Sequence, residues 1–327
     1  MAAEGRRRAI FAALVGNLLV ASTKLAAAWW TGSSSMLTEG IHSLVDTGNE
    51  VLLFYGIARA ARRPDPMHPF GYGRELYFWS FIVALLIFAL GAGVSIYEGI
   101  VHILDPEPIT DPHVNYIVLA LSTLFEVGSW TVAFRQFRVA KGELGYLEAM
   151  RRSKDPPSFM VLFEDSAAVV GLLIAFCGVA GSVALDDPRV DGLASILIGV
   201  VLAVVAVVLA RESQELLIGE RAEPRVVEAV LAIAAAHPAV RAANGAMTSQ
   251  LAPDQIFVAL SLEFEDDLRV PEVEAAVAAI EAGIRAAHPE VTALFVKPET
   301  PKAFAQAHDR LFGPGAAAPG ETPRSPS

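Results

Sequence analysis

The sequence predicts an α-helical polytopic membrane protein with six transmembrane helices, joined to a small cytoplasmic α+β domain of αββαβ, ferredoxin-like order. Three observations predict it. Apolar residues make up 54% of the 327 positions and charged residues only 19%, and the charges gather between apolar runs instead of spreading through them. Six runs, at about 10–30, 34–58, 78–102, 113–137, 159–183 and 190–210, reach the roughly 20 helical residues that cross a hydrocarbon core of about 30 Å. From Glu212 the pattern changes to short amphipathic and alternating segments. The expected organisation is a transport domain over 9–211, a folded domain over 212–298 and a disordered tail over 299–327.

The first run begins near residue 10, and another follows within a few residues. No small-residue cleavage site leads into an exported domain, so it reads as a span and not a signal peptide. Asn17 lies inside it, suited to an interhelical hydrogen bond or to an ion path. Lys24 lies towards its far end, where a long side chain can snorkel, and Trp29 and Trp30 suit an interface. The second run holds the stretch TEGIHSLVDTGNEVLLF, with Glu39, His42, Asp46 and Glu50 at steps of three or four. On a helix these fall on or near one face. Ionisable groups in a membrane helix are costly and mark a functional path.

Residues 63–74, RPDPMHPFGYGR, contain too much proline and glycine for a continuous helix and read as a shaped turn, in which Asp65 and His68 are a candidate weak metal pair. The third run carries Glu98 near its end, and the fourth carries Glu126 deep inside, without an assignable partner. Pro156 and Pro157 set the start of the fifth helix, which carries Glu164 and Asp165 and then Gly171, Gly178 and Gly181 for close helix approach. The sixth is a Val, Leu, Ile and Ala run that reads as packing surface. The two acid-bearing helices are expected to face each other and hold a divalent metal ion in mid-membrane.

Lys and Arg gather before the first run, between the second and third, and between the fourth and fifth, while the alternate loops are uncharged or acidic. That bias puts both chain ends in the cytoplasm, and the expected location is a bacterial inner membrane. Cys177 is the single cysteine, which excludes a disulfide framework and a thiolate zinc cluster. The net charge of −11 argues against nucleic acid and anionic lipid surfaces as partners. In the C-terminal domain, helices are expected over 224–236 and 271–287 and strands near 240–250, 255–264 and 291–296. Only His237 and His288 lie there, so a metal site in the domain, for instance with Asp266 and Asp267, is not expected.

An HxxxD pair in the second run, an aspartate in the fifth, the HPFGYGR turn, FEDSAAVVG and the C-terminal α+β domain together resemble the cation diffusion facilitator family, in particular a mitochondrial zinc-transporter branch of it. The resemblance covers about residues 9–298. It implies a homodimer in the lipid bilayer that exports zinc or a related divalent ion from the cytoplasm by alternating access, with protons as counter-ion. It also implies metal ligands at His42, Asp46 and Asp165. One departure is visible: many members place a ligand four residues before the aspartate of the fifth span, and here that position is Val161. The fourth ligand is left among Glu164, a water, Asn17 and Glu50, with Glu39, Glu50 and Glu126 as accessory path or relay residues. Imidazole with carboxylates suits Zn2+, with Fe2+, Mn2+, Co2+, Ni2+ and Cd2+ left open, and no organic cofactor is called for. The rival readings are a membrane-embedded metalloenzyme, for which no HExxH or nucleophile motif is present, a channel, and a metal-responsive scaffold without transport.

Overall fold

The computed structural model describes residues 2–313. The chain divides into two units: residues 1–61 with 75–214, and residues 62–74 with 215 onward. The first unit is helical throughout. Its elements are α1 (Ala2–Thr31), α2 (Ser34–Ala60), α3 (Arg74–Leu86), a π-helical turn (Ile87–Ala92), α4 (Gly93–Leu104), α5 (Pro112–Lys141), the short α6 (Tyr146–Arg152), α7 (Pro156–Leu185) and α8 (Arg189–Ile218). Proline at the first turn opens α5 and α7, where its missing N–H costs nothing. Ser33 caps α2 by accepting the Met36 N–H at 3.2 Å.

Six spans were expected, and the structure corrects that number. Among the described residues, four helices are long and apolar enough to cross a membrane: Arg74–Leu104, which includes α3, the π turn and α4; Pro112–Val139; Pro156–Leu185; and Arg189–Ile218. The protein is thus a polytopic membrane protein by length and composition. The 34–58 run is helical and long enough, but Glu39, His42, Asp46, Asn49 and Glu50 interrupt its apolar residues. The 10–30 run is helical too, and the side chains before Asn17 lie outside the described residues.

Polarity in this unit runs opposite to that of a water-soluble protein. Leu173, Phe176, Leu197, Val200 and Val204 are exposed on α7 and α8, while α2 turns Thr38, Glu39, His42 and Asn49 inward. Apolar outer surfaces of this extent call for an apolar solvent. Two apolar clusters fill the interior, one around Met36, Leu119, Leu172 and Ile198 and one around Leu53, Val83, Phe159 and Leu209. Close approach depends on small residues. A Cβ built on Gly99 of α4 would lie 2.5 Å from the Gly192 carbonyl of α8, so the two backbones touch there.

The second unit contains α9 (Pro224–Ala235), β1 (Val240–Ala252), β2 (Gln255–Phe264), α10 (Val270–Ala287), β3 (Val291–Pro298) and α11 (Pro301–Phe312). The sheet order is β1-β2-β3, antiparallel across the first pair and parallel across the second. The expected αββαβ order is present, and the ferredoxin-like label goes no further than that three-stranded arrangement. Alternation on β2 buries Ile256, Val258, Leu260 and Leu262 against Val226, Val230, Ile280 and Ile284 of the two helices. The tail was expected to lack structure from 299. Instead Thr300 caps α11 by accepting the Ala303 N–H at 3.3 Å, and Phe304 packs on Gly245 of β1. The Ala, Pro and Gly bias of the whole tail masked a capped helix with one aromatic anchor; residues 314–327 lie outside the described residues.

The 62–74 turn folds with this second unit. Phe70 meets Phe257 of β2 edge-on at 5.6 Å, and Arg74 Nη2 donates to Ser249 Oγ at 3.1 Å. Asp65 shapes the turn: Oδ1 accepts the N–H groups of Met67 and His68 at 2.9 and 2.8 Å, and Oδ2 accepts the Tyr72 O–H at 2.6 Å.

Two outcomes test this account. Gly99→Ala should destabilise the purified protein in detergent by about 1–3 kcal/mol, read as a lower thermal midpoint. Gly48→Ala, where a Cβ meets nothing within 4 Å, should not; equal midpoints for both would remove the close α4–α8 contact. The hydrogen bond from Tyr72, then those from His68 and Met67, hold the Asp65 carboxyl down at about 2, below its ordinary 3.8. The folded turn therefore gains from ionised Asp65 above pH 3.8 and loses that gain as pH falls towards 2. Tyr72→Phe should raise the Asp65 pKa towards 3.8, measured by carbon-detected NMR of the side-chain carboxyl; an unchanged value would sink the assignment.

Candidate metal path in the helical unit

Helix α2 positions the central residues because its steps of three and four stack them along one side. His42 is buried at 1% exposure, and its Nδ1 lies 3.4 Å from Asp46 Oδ1, one turn on. That distance is too long for a good hydrogen bond. Both ring nitrogens of His42 and Oδ1 of Asp46 are buried without a hydrogen-bond partner among the described residues. Unpaired buried polar atoms cost about 1–3 kcal/mol each, so a cluster of them calls for a ligand.

The acids on α7 point different ways. Glu164 reaches α2, where its Oε1 accepts from Asn49 Nδ2 at 3.1 Å, and Asp165 turns to α5, where its Oδ2 accepts from Ser129 Oγ at 2.9 Å. Adjacent residues on a helix project about 100° apart, and here they serve two different neighbours. Asn17, Asp46, Glu50, Glu126, Glu164 and Asp165 all line one cavity of about 500 Å³. Val161, at the position of the departure, is also in its wall.

Each remaining sequence candidate has a definite place. Asn17 Nδ2 donates to Glu50 Oε1 at 2.8 Å, which ties α1 to α2. Glu39 accepts from Lys24 Nζ at 3.2 Å. Lys24 was expected to snorkel; instead it is fully buried, because Glu39, Ser43 and Glu126 give its ammonium partners inside. Lys24 also supplies the partner that Glu126 lacked in sequence, at 3.8 Å. Asp65 and His68 belong to the turn of the second unit, with Asp65 Oδ1 3.3 Å from His68 Nδ1. In the second unit, His237 Nδ1 accepts the Ala239 N–H, His288 contacts Glu290 at 3.0 Å, and Asp266 pairs with Arg241 at 2.8 Å.

Among the described residues, no three His, Cys, Asp or Glu side chains stand close enough together to form a ready-made metal cluster. The helices instead present donors around a cavity, across which α2 and α7 would have to close on an ion. Sequence reasoning missed Asn49, Ser129 and the inward turn of Lys24. Polar spacing on α2 could have flagged Asn49, three residues after Asp46; Ser129 carries no signal of its own.

Known proteins from several organisms are similar to this chain over most of its length. The chain is 35% identical over 265 residues to the mitochondrial proton-coupled zinc antiporter SLC30A9 of Xenopus laevis, covering 80% of this chain and 47% of that protein. It is 35% identical over 228 residues to metal tolerance protein C4 of Arabidopsis thaliana, covering 69% and 50%. With the cation-efflux pump FieF of Cronobacter sakazakii it shares 27% identity over 284 residues, covering 86% and 89%. The chain therefore spans about half the length of the first of these relatives. The family model for the cation efflux transmembrane domain matches residues 10–218, which takes in α2, α7 and the cavity between them, and the chain belongs to the cation efflux family, the cation diffusion facilitators.

Proposed function

We propose that this chain is a divalent metal cation efflux transporter, with zinc as its main ion and protons as counter-ion, and that His42, Asp46 and Asp165 bind the ion with Glu164 as the fourth ligand. The observation that carries this reading is the set of unpartnered buried donor atoms on His42 and Asp46 beside a cavity lined by carboxylates. Nitrogen and carboxylate donors suit zinc. The names of the relatives, which include proton-coupled zinc antiporters and a cation-efflux pump, point the same way. Glu39, Glu50 and Glu126 serve the path. The Asp65 turn serves as a shaped connection, since both of its carboxylate oxygens are already engaged.

Transport needs each side of the cavity to open in turn. In this reading α7 moves against α2, exchanging the Glu164–Asn49 contact for contacts to the ion, and water enters from one side at a time. A divalent charge leaving a carboxylate-lined cavity must be replaced, and protons are the cations small enough to do so within the same donor set. In this reading both chain ends face the cytoplasm, which the gathering of Lys and Arg in alternate loops supports, together with the even number of candidate crossing helices among the described residues. The expected bacterial inner membrane draws no support from the relatives, since the antiporters that share more identity with this chain than the pump does carry a mitochondrial name. The second unit joins two copies without metal. On its sheet Met247, Ala259 and Phe295 form one cross-strand row, and the first and last of these are exposed.

Reconstituted vesicles test the transport reading. Wild-type chain should give saturable zinc uptake that follows an imposed pH gradient at clamped membrane potential. Asp46→Ala and Asp165→Ala should each lower the rate by at least about tenfold, since each removes a ligand charge. Wild-type rates in either variant would refute the ligand set, and indifference to the gradient would refute exchange. For the pairing, sedimentation of the full chain in detergent should show a dimer both in chelator and in added zinc. A monomer that pairs only with zinc would overturn the metal-free interface.

A further inference from the structure

The cavity is lined by acids, and the ammonium of Lys24 stands behind it. Lys24 of α1 is 0% exposed. Its Nζ lies 2.8 Å from Ser43 Oγ and 3.2 Å from Glu39 Oε2, both on α2, and 3.8 Å from Glu126 Oε1 on α5. One charge thus spans three helices. The other oxygen of Glu39 sits against Gly171 of α7, in the space that any Cβ there would fill. That oxygen has no hydrogen-bond partner among the described residues. Glu126 stands at the cavity wall with Asp46 and Asp165.

We infer that Lys24 is a built-in counter-cation that withholds Glu39 and Glu126 from the transported ion and so sets how weakly the cavity holds it. The inference rests on the reading of the cavity as a metal path. Its physical basis is that a fixed positive charge beside a low-dielectric cavity repels a divalent ion, while the two carboxylates it pairs with would attract one more strongly in its absence. A transporter needs such restraint, because an ion bound by every available acid leaves slowly. An ion pair that only braces α1 against α2 and α5 predicts the reverse, since its loss would disorder the cavity and weaken binding. Lys24 is a positioning residue: it acts through Glu39 and Glu126 and is not itself a ligand.

The test is equilibrium zinc binding to the purified full chain, read by competition with a fluorescent chelator. Lys24→Met should bind zinc at least about tenfold more tightly than wild type. Because that change leaves Glu39 buried and unpaired and the variant can fail to fold, Lys24→Met with Glu39→Gln is measured beside it, and a smaller gain in the same direction, carried by Glu126, is expected. Adding Glu126→Gln to that double variant should bring the affinity back to within about threefold of wild type. If the folded Lys24→Met or the double variant binds zinc equally or less tightly than wild type, or if Glu126→Gln does not reverse the gain, the counter-cation role is overturned. Vesicle flux separates this from the transport reading. A wild-type chain that binds zinc and moves none ends that reading and leaves the binding comparison to decide Lys24; one that binds no zinc ends both.

Discussion

A carboxylate that leaves water for the inside of a helical bundle needs a hydrogen-bonding or positive partner there, and the helical unit meets that demand in two ways. Asp191 of α8 shows the complete solution. It is fully buried, yet Ser33 Oγ donates to it at 2.9 Å, the Ser35 N–H at 3.1 Å and the Ser35 hydroxyl as well. Thr31 and Asn115 close the same end by a hydroxyl-to-amide bond of 2.8 Å. The middle of the bundle is left incomplete: among the described residues, His42, Asp46 and one oxygen of Glu39 keep buried atoms without protein partners. The first arrangement staples helices, and the second leaves polar atoms without that role.

The polar interior dictates the rest of the unit. Its helices place apolar side chains outward, so what holds them together is close packing and internal hydrogen bonds more than burial of apolar surface. Gly99 against Gly192 and Gly199 against Ala92 belong to that packing. The wall residue Val161 limits the donor set from the other direction, since an apolar side chain offers an ion nothing to bind. The donors that remain are nearly all oxygen, with one imidazole.

Much of this was legible in the sequence because period and charge are local properties. The α2 stretch announced itself by ionisable residues at helical spacing, and the strands of the second unit by alternation; Gln255–Phe264 is a strand with Ile256, Val258, Leu260 and Leu262 inward as the pattern required. What escaped depends on partners far along the chain. Lys24 near a helix end reads as a snorkelling side chain until Glu126, a hundred residues on, is found beside it. The split duty of Glu164 and Asp165 follows from the 100° between neighbours, but which acid serves α2 was fixed by Asn49 and which serves α5 by Ser129. The span count came out too high because the polar residues of α2 were averaged with their apolar neighbours. Composition likewise hid α11 in a tail whose average favours disorder.

The π turn at Ile87–Ala92 sets the rotational phase of the helix that contains it. A π turn carries one residue more than the α-helical ladder needs at that point, and it packs here against α2, with the Ser95 hydroxyl donating to the Gly91 carbonyl at 2.5 Å. Excising one residue from it would restore an unbroken α-helix but rotate Gly93–Leu104 by about 100° relative to Arg74–Leu86. Gly99 would swing off the Gly192 backbone, and a bulky neighbour would take its place at the α8 contact. The surplus residue is thus a phase adjuster. It lets one continuous helix show α2 one set of side chains and α8 another, which an ideal 3.6-residue repeat could not align over the same length.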